Sequence, residues 1–278
     1  MLRGNTLVAA YTRGLNGGMT EPRAPREPSE LARARTRWPV WYALLNKAEH
    51  AAIRGVEEEV REPAWRRHTP GEARWPVTLS VIAAIALQVA LPDQLTLLPR
   101  YLLPALETAL LIGQIAANPV RIERRSQVVR LASIVLIFLI SAANALSAVL
   151  LIRFIIDGKA KHAVPLLASG AAIWATNVIV FALWYWEFDR GGPVHRAHGT
   201  FQFTDLLFPQ MVSPGLAAPD WEPQFVDYLY LSFTNATAFS PTDVMPLARW
   251  AKLTMAVQSA VSLALGVVVI ARAVNILA

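Results

Sequence analysis

The chain has 278 residues, 54% of them hydrophobic and 17% charged, with a mean hydropathy of +0.37; this is too apolar for a water-solvated domain and points to a polypeptide whose solvent is partly lipid. It contains no cysteine, which excludes a disulfide framework and a thiolate metal site, and no cofactor-binding motif stands out. The net charge of +6 raises nucleic acid as a partner, but the Lys and Arg residues flank apolar runs rather than gathering with exposed aromatics, so a lipid bilayer is the expected partner and nucleic acid is not.

Residues 1–37 are rich in Arg, Pro, Gly and Glu and cannot bury enough apolar surface to offset chain entropy, so a disordered basic N-terminus is expected. Its first apolar run is too short for the core of a secretory signal. From Trp38 to about Trp65 the pattern turns helical: Trp38, Trp41, Leu44, Leu45, Ala48, Ala52, Ile53 and Val56 recur at three- and four-residue spacing. The segment 38–74 is therefore expected to carry an amphipathic helix, either lying at the membrane interface or packed on the protein's own cytoplasmic surface.

Apolar runs then predict an all-α membrane domain over 75–278, with about five transmembrane helices near 75–91, 98–117, 131–152, 163–185 and 253–270. Arg61, Arg66, Arg67, Arg74, Arg121, Arg124, Arg125, Arg130, Arg190, Arg196, Arg249 and Lys252 fall on one side of these spans. Arg100, Arg153, Lys159, Lys161 and Arg272 fall on the other. The excess on the first side predicts a multi-pass protein of the cell membrane with a cytoplasmic N-terminus.

Between the fourth and fifth spans, 224–237 reads as a helix that follows Pro223, with Asp220 and Glu222 near its positive end. At 1.5 Å per residue it rises roughly 20 Å, too short to cross a core of ~30 Å, and Tyr228-Leu-Tyr-Leu-Ser-Phe233 is apolar nearly all round. A short buried helix, a polar turn and a span make the layout of a re-entrant pore loop.

The residues Thr237-Ala-Phe-Ser-Pro-Thr-Asp243, Pro246 and Trp250-Ala-Lys-Leu253 resemble the potassium channel pore region, where a pore helix leads into Thr-Val-Gly-Tyr-Gly-Asp, a proline and an inner helix beginning Trp-Gly-Arg-Leu. Tyr230, Ser232, Thr237, Asp243, Pro246 and Trp250 fall in register. The filter glycines do not: Ser240, Pro241 and Thr242 stand in that region, so the family's carbonyl ladder is not reproduced. A wider likeness, over roughly residues 75–278, joins this chain to a family of bacterial integral-membrane proteins known only as a domain of unknown function. It is carried by Trp184-Tyr-Trp-Glu-Phe-Asp-Arg-Gly-Gly-Pro193 and by Tyr228 to Asp243.

The likeness to channels implies pore-lining roles for Thr237, Ala238, Phe239, Ser240, Thr242 and Asp243, passage of a monovalent cation, and assembly as a homotetramer, because one loop and one span cannot enclose a pore. The competing reading of Ser240-Pro-Thr-Asp243 is a helix start, with serine as cap, proline next and the acid reaching back; the start after Asp243 is the variant that Pro246 favours. On that reading the protein is a non-conducting membrane scaffold or interaction protein rather than an enzyme or a channel.

Glu107 lies mid-way along the second span, where an ionisable residue is by default a functional candidate, here for a proton-coupled carrier. Its structural alternative is a hydrogen-bonded glutamate meeting Ser141, Asn144, Asn177 or Gln258; Arg100 is too far along the helix to pair with it. His195 and His198, with Glu187, Asp189 and Asp205 nearby, lack the spacing of a helical zinc site and read as a solvated loop with no metal.

Overall fold

The computed structural model describes residues 63–96, 99–122, 126–199, 203–237 and 243–277, all within one of the chain's two compact units, Glu62–Ala278. The expected disordered N-terminus and most of the expected amphipathic segment lie outside the described residues. Residues 63–74, the last part of that segment, form a 3-10 turn at Ala64–Arg66 and then a strap joined to Arg121 through an antiparallel bridge at Ala73.

In chain order the main elements are α1 (Trp75–Ala90), α2 (Leu102–Ala117), α3 (Gln127–Ile156), α4 (Ala163–Phe188), α5 (Pro193–Ala197), β1 (Leu206–Leu207), α6 (Pro209–Val212), α7 (Phe225–Thr237), β2 (Met245–Pro246) and α8 (Arg249–Leu277). Among the described residues, three helices, α3, α4 and α8, are long and apolar enough to cross a membrane. The runs predicted near 75–91 and 98–117 form α1 and α2, each of 16 residues. Each rises about 24 Å, less than a hydrocarbon core of about 30 Å.

Helix boundaries follow local chemistry. Ser126 opens α3 by accepting from Val129 N–H. Beyond α4 the chain turns through Arg190 at φ 51°, Gly191 at 77° and Gly192 at 98°. A side chain at Gly192 would bring its Cβ to 2.9 Å from the Glu187 carbonyl oxygen, so this corner needs glycine.

Successive long helices run in opposite directions, and α4 is their hub, packing against α1, α3, α7 and α8. Of its most apolar window 56% is buried within the protein, against 22% for α8, which makes α4 central and α8 peripheral. The outward side of α8 carries Leu253, Val257, Leu263, Val267, Ile270 and Val274. Its inward side approaches α4 closely: a Cβ at Gly170 would meet Val269 Cγ1 at 2.8 Å.

One end of the bundle, where α1, α3 and α8 begin and α2 and α4 stop, gathers Arg66, Arg67, Arg74, Arg121, Arg130, Arg190 and Arg196. The strap 63–74 is laced across it, with Ile122 N–H donating to the Glu72 carbonyl and Thr69 N–H to that of Ala197. At the opposite end Arg272 donates to the Ala160 carbonyl at 2.9 Å, and Ser147 to that of Leu95 at 2.9 Å.

Candidate functional site

The short helix expected at 224–237 is α7, beginning one residue later, at Phe225. Its start is set by Asp227, whose carboxylate accepts from Gln224 N–H at 2.8 Å. This is half of a capping box, and it takes the role assigned from the sequence to Asp220 and Glu222. Phe225, Tyr228, Leu231, Ser232 and Ala236 are buried against the rest of the protein, whereas Val226, Tyr230 and Phe233 are exposed.

α7 dips into the bundle from the arginine-rich end. Tyr228 meets Asp189, just past the end of α4, while Ser232 donates to the Val178 carbonyl at 2.6 Å, ten residues or about 15 Å back along α4. By Val244 the chain has returned, since β2 pairs with β1 through Leu206 with Pro246 and Leu207 with Met245. The Asp205 carbonyl accepts from Leu247 and Ala248 N–H just ahead of α8.

A polar seam holds α7 in place at depth. Gln258 of α8, fully buried, accepts at Oε1 from Tyr185 Oη at 2.7 Å and from Asn235 Nδ2 at 2.8 Å. Its Nε2 donates to the Ser232 carbonyl at 2.9 Å and to Ser232 Oγ at 2.7 Å. Asn235 also donates to the Met255 carbonyl, Ser259 donates back to Asn235, and Asn177 of α4 donates to Ser262 of α8. One glutamine thus uses both ends of its amide to join three helices.

Of the predicted pore-lining residues, Ala238, Phe239, Ser240 and Thr242 lie outside the described residues. Thr237 is the last residue of α7 and donates to the Thr234 carbonyl at 2.8 Å. Asp243 is exposed, at the bend before β2. Of the two helix starts read from the sequence, α8 takes the one after Asp243 and not the cap at Ser240: it begins at Arg249, because Met245 and Pro246 are committed to pairing with β1, and Pro246 lacks the N–H a helix interior needs.

The sequence reading missed a buried charge cluster at the arginine-rich end. Arg196, read as part of a solvated loop, is 5% exposed on the short helix α5. Its guanidinium donates to Glu72 Oε1 at 2.6 and 3.1 Å and to the carbonyls of Trp186 and Asp189 at 2.6 and 3.0 Å. Trp186 Nε1 donates to the other Glu72 oxygen at 2.6 Å. Asp189, fully buried, accepts from Tyr228 Oη at 2.6 Å, from Arg190 Nε at 3.3 Å and from Leu206 N–H at 3.3 Å.

Burial alone would lower the Arg196 pKa; the Glu72 carboxylate, with contributions of the same sign from Tyr228 and Asp189, outweighs it and holds the guanidinium above its ordinary value. These acceptors and donors close on one another, which makes the cluster a clasp joining the strap, α4, α5, β1 and α7. The signal available in the sequence was weak, since Glu72 and Arg196 stand 124 residues apart.

Glu107 is fully buried, and among the described residues no hydrogen bond reaches either carboxyl oxygen. Gln88 of α1 is the side chain that approaches it. Three of its four proposed partners are engaged elsewhere: Ser141 accepts from Trp184 Nε1 and donates to the Ile137 carbonyl, Asn177 serves Ser262, and Gln258 serves the seam. Arg100 turns to the Val89 carbonyl and to Asp93. His198 packs edge-on against His68 with ring centroids 5.3 Å apart, and its Nδ1 lies 2.7 Å from the Val194 carbonyl. Among the described residues no three metal-binding side chains converge.

Compared with family models, with curated proteins and with solved structures, the chain gives no match. The reading of its function rests on this geometry.

Proposed function

We propose that the protein is a multi-pass protein of the cell membrane that acts as a non-conducting scaffold, with α7 as a structural insert that enters and leaves from the arginine-rich, cytoplasmic end. In this reading α1 and α2 cross beside the three long helices, where a locally thinned bilayer accommodates their length. The observation that carries it is the seam at Gln258. The polar side chains of α7 that face inward, Ser232 and Asn235, are bound to α4 and α8 of the same chain, and the outward side offers Val226, Tyr230 and Phe233 rather than a polar lining.

The Thr237 hydroxyl donates its proton to the Thr234 carbonyl of its own helix. Native mass spectrometry of the folded protein in mild detergent tests this reading, because a shared pore needs several copies. A monomer supports the scaffold. A tetramer that conducts cations through Asp243 would establish the channel in its place.

A further inference from the structure

We infer that the arginine-rich end holds a binding site for a phosphate oxyanion, presented either as the headgroup of an anionic phospholipid or as a small soluble phosphate. The site is a cavity of about 220 Å³ enclosed by the start of α1, the end of α2, the start of α3 and the corner between α4 and α5. That is far more room than a single water needs and enough for a phosphate group. It is separate from the seam at Gln258 and from Glu107.

What selects an anion is the polarity of its lining. Arg74, Gln114 and Asn118 line the cavity and are 7%, 8% and 5% exposed. Arg74 Nε, Gln114 Nε2 and Asn118 Nδ2 are all buried without a hydrogen-bond partner among the described residues. The amide of Gln114 is oriented without ambiguity, because its Oε1 accepts from Arg74 Nη2 at 3.3 Å and from Ser133 Oγ at 3.2 Å, leaving the NH₂ group unused. An unpaired buried donor is costly, and three of them on residues that wall one cavity call for a ligand rich in acceptors.

The N-terminus of the 30-residue helix α3 opens on the same space and adds its positive end. Arg130 stands at the rim, 3.7 Å from the Glu187 carboxylate, the acid among the lining residues. Among the described lining residues, and with His195 neutral, Arg74 and Arg130 against Glu187 leave one formal positive charge, matched to the single charge of a phosphodiester. The apolar walls, Val77, Ile122, Trp186 and Val194, suit the glycerol carbons. The lipid source rests on the membrane reading above, which sets this end of the bundle at the depth of the headgroups; the anion chemistry does not.

The test uses the full chain in mild detergent, with thermal unfolding and native mass spectrometry as readouts and two probes: phosphatidylglycerol and inorganic phosphate. The variants are Asn118→Leu, which removes a donor that has no partner among the described residues, and Asn118→Asp, which sets a carboxylate in its place. At least one probe should raise the unfolding temperature of the parent chain. Asn118→Leu should fold as well as the parent and bind about tenfold more weakly, as expected for one lost hydrogen bond to a charged group; Asn118→Asp should bind neither probe. An Asn118-dependent response to the lipid alone assigns the headgroup, and one to inorganic phosphate assigns a soluble ligand. Failure of both probes to stabilise the parent, or equal responses in parent and variants, overturns the site. If the protein stays folded and monodisperse without detergent, the membrane reading falls while the inorganic phosphate measurement still stands.

Discussion

Replacing Gln258 by leucine keeps the volume and removes both ends of the amide that joins α4, α7 and α8. Tyr185 Oη then has no acceptor in place of Gln258 Oε1, and an orphaned buried donor costs about 1–3 kcal/mol. Asn235 keeps its bond to the Met255 carbonyl and Ser232 its bond to the Val178 carbonyl, so those losses are limited to net hydrogen-bond values near 0.6 kcal/mol each between helices in lipid. Together they predict a loss of about 2–4 kcal/mol, read as a lowered midpoint in denaturant titrations of the protein in mixed micelles. Tyr185→Phe in the same background should recover about 1 kcal/mol, because the stranded hydroxyl is gone. A Gln258→Leu variant within ~0.5 kcal/mol of the parent would refute the reasoning, since the seam would then carry no more than a surface substitution does.

Other substitutions test separate parts of the architecture. Arg196→Leu should destabilise by about 3–5 kcal/mol in the same titration, because the Glu72 carboxylate loses its guanidinium partner in a buried site and the Trp186 and Asp189 carbonyls lose a donor. Gly170→Ala should cost about 1–3 kcal/mol, as the new Cβ forces α8 away at Val269. Glu107→Leu should leave stability unchanged or raise it, since the carboxyl removed has no hydrogen-bond partner among the described residues; loss of a transport activity in that variant, with folding intact, would point to a proton-coupled carrier.

The long helices were legible because lipid imposes a simple rule: runs of about twenty apolar residues must become helices when no water is present to satisfy the backbone. The runs predicted near 131–152, 163–185 and 253–270 became α3, α4 and α8, each longer than the run, α3 continuing through Arg153 and α8 through Arg272, which donates to the Ala160 carbonyl. α7 was legible for a related reason, since Tyr228 to Phe233 is apolar around most of a helix only thirteen residues long. The start of α8 was not, because it depends on Leu206 and Leu207 arriving from forty residues earlier to pair with Met245 and Pro246.

The polar interior was the least legible part. Gln258, one of four residues the sequence offered as a partner for Glu107, meets Tyr185, Ser232 and Asn235 instead. Which buried amide meets which hydroxyl is set by the rotation of each helix about its axis, and that is fixed by close contacts such as Gly170 against Val269. Arg196 was unreadable for a different reason: flanked by histidines and glycines it has the surroundings of a surface residue, and only the strap carrying Glu72 encloses it.

The measurement that bears most directly on the scaffold reading is cation flux into sealed liposomes containing the folded protein, with Asp243→Asn and Gln258→Leu beside the parent chain. A scaffold with α7 locked into its own protomer gives potassium and sodium uptake equal to that of protein-free liposomes in all three. Uptake above that level by the parent, lost in Asp243→Asn, would contradict it and restore the pore.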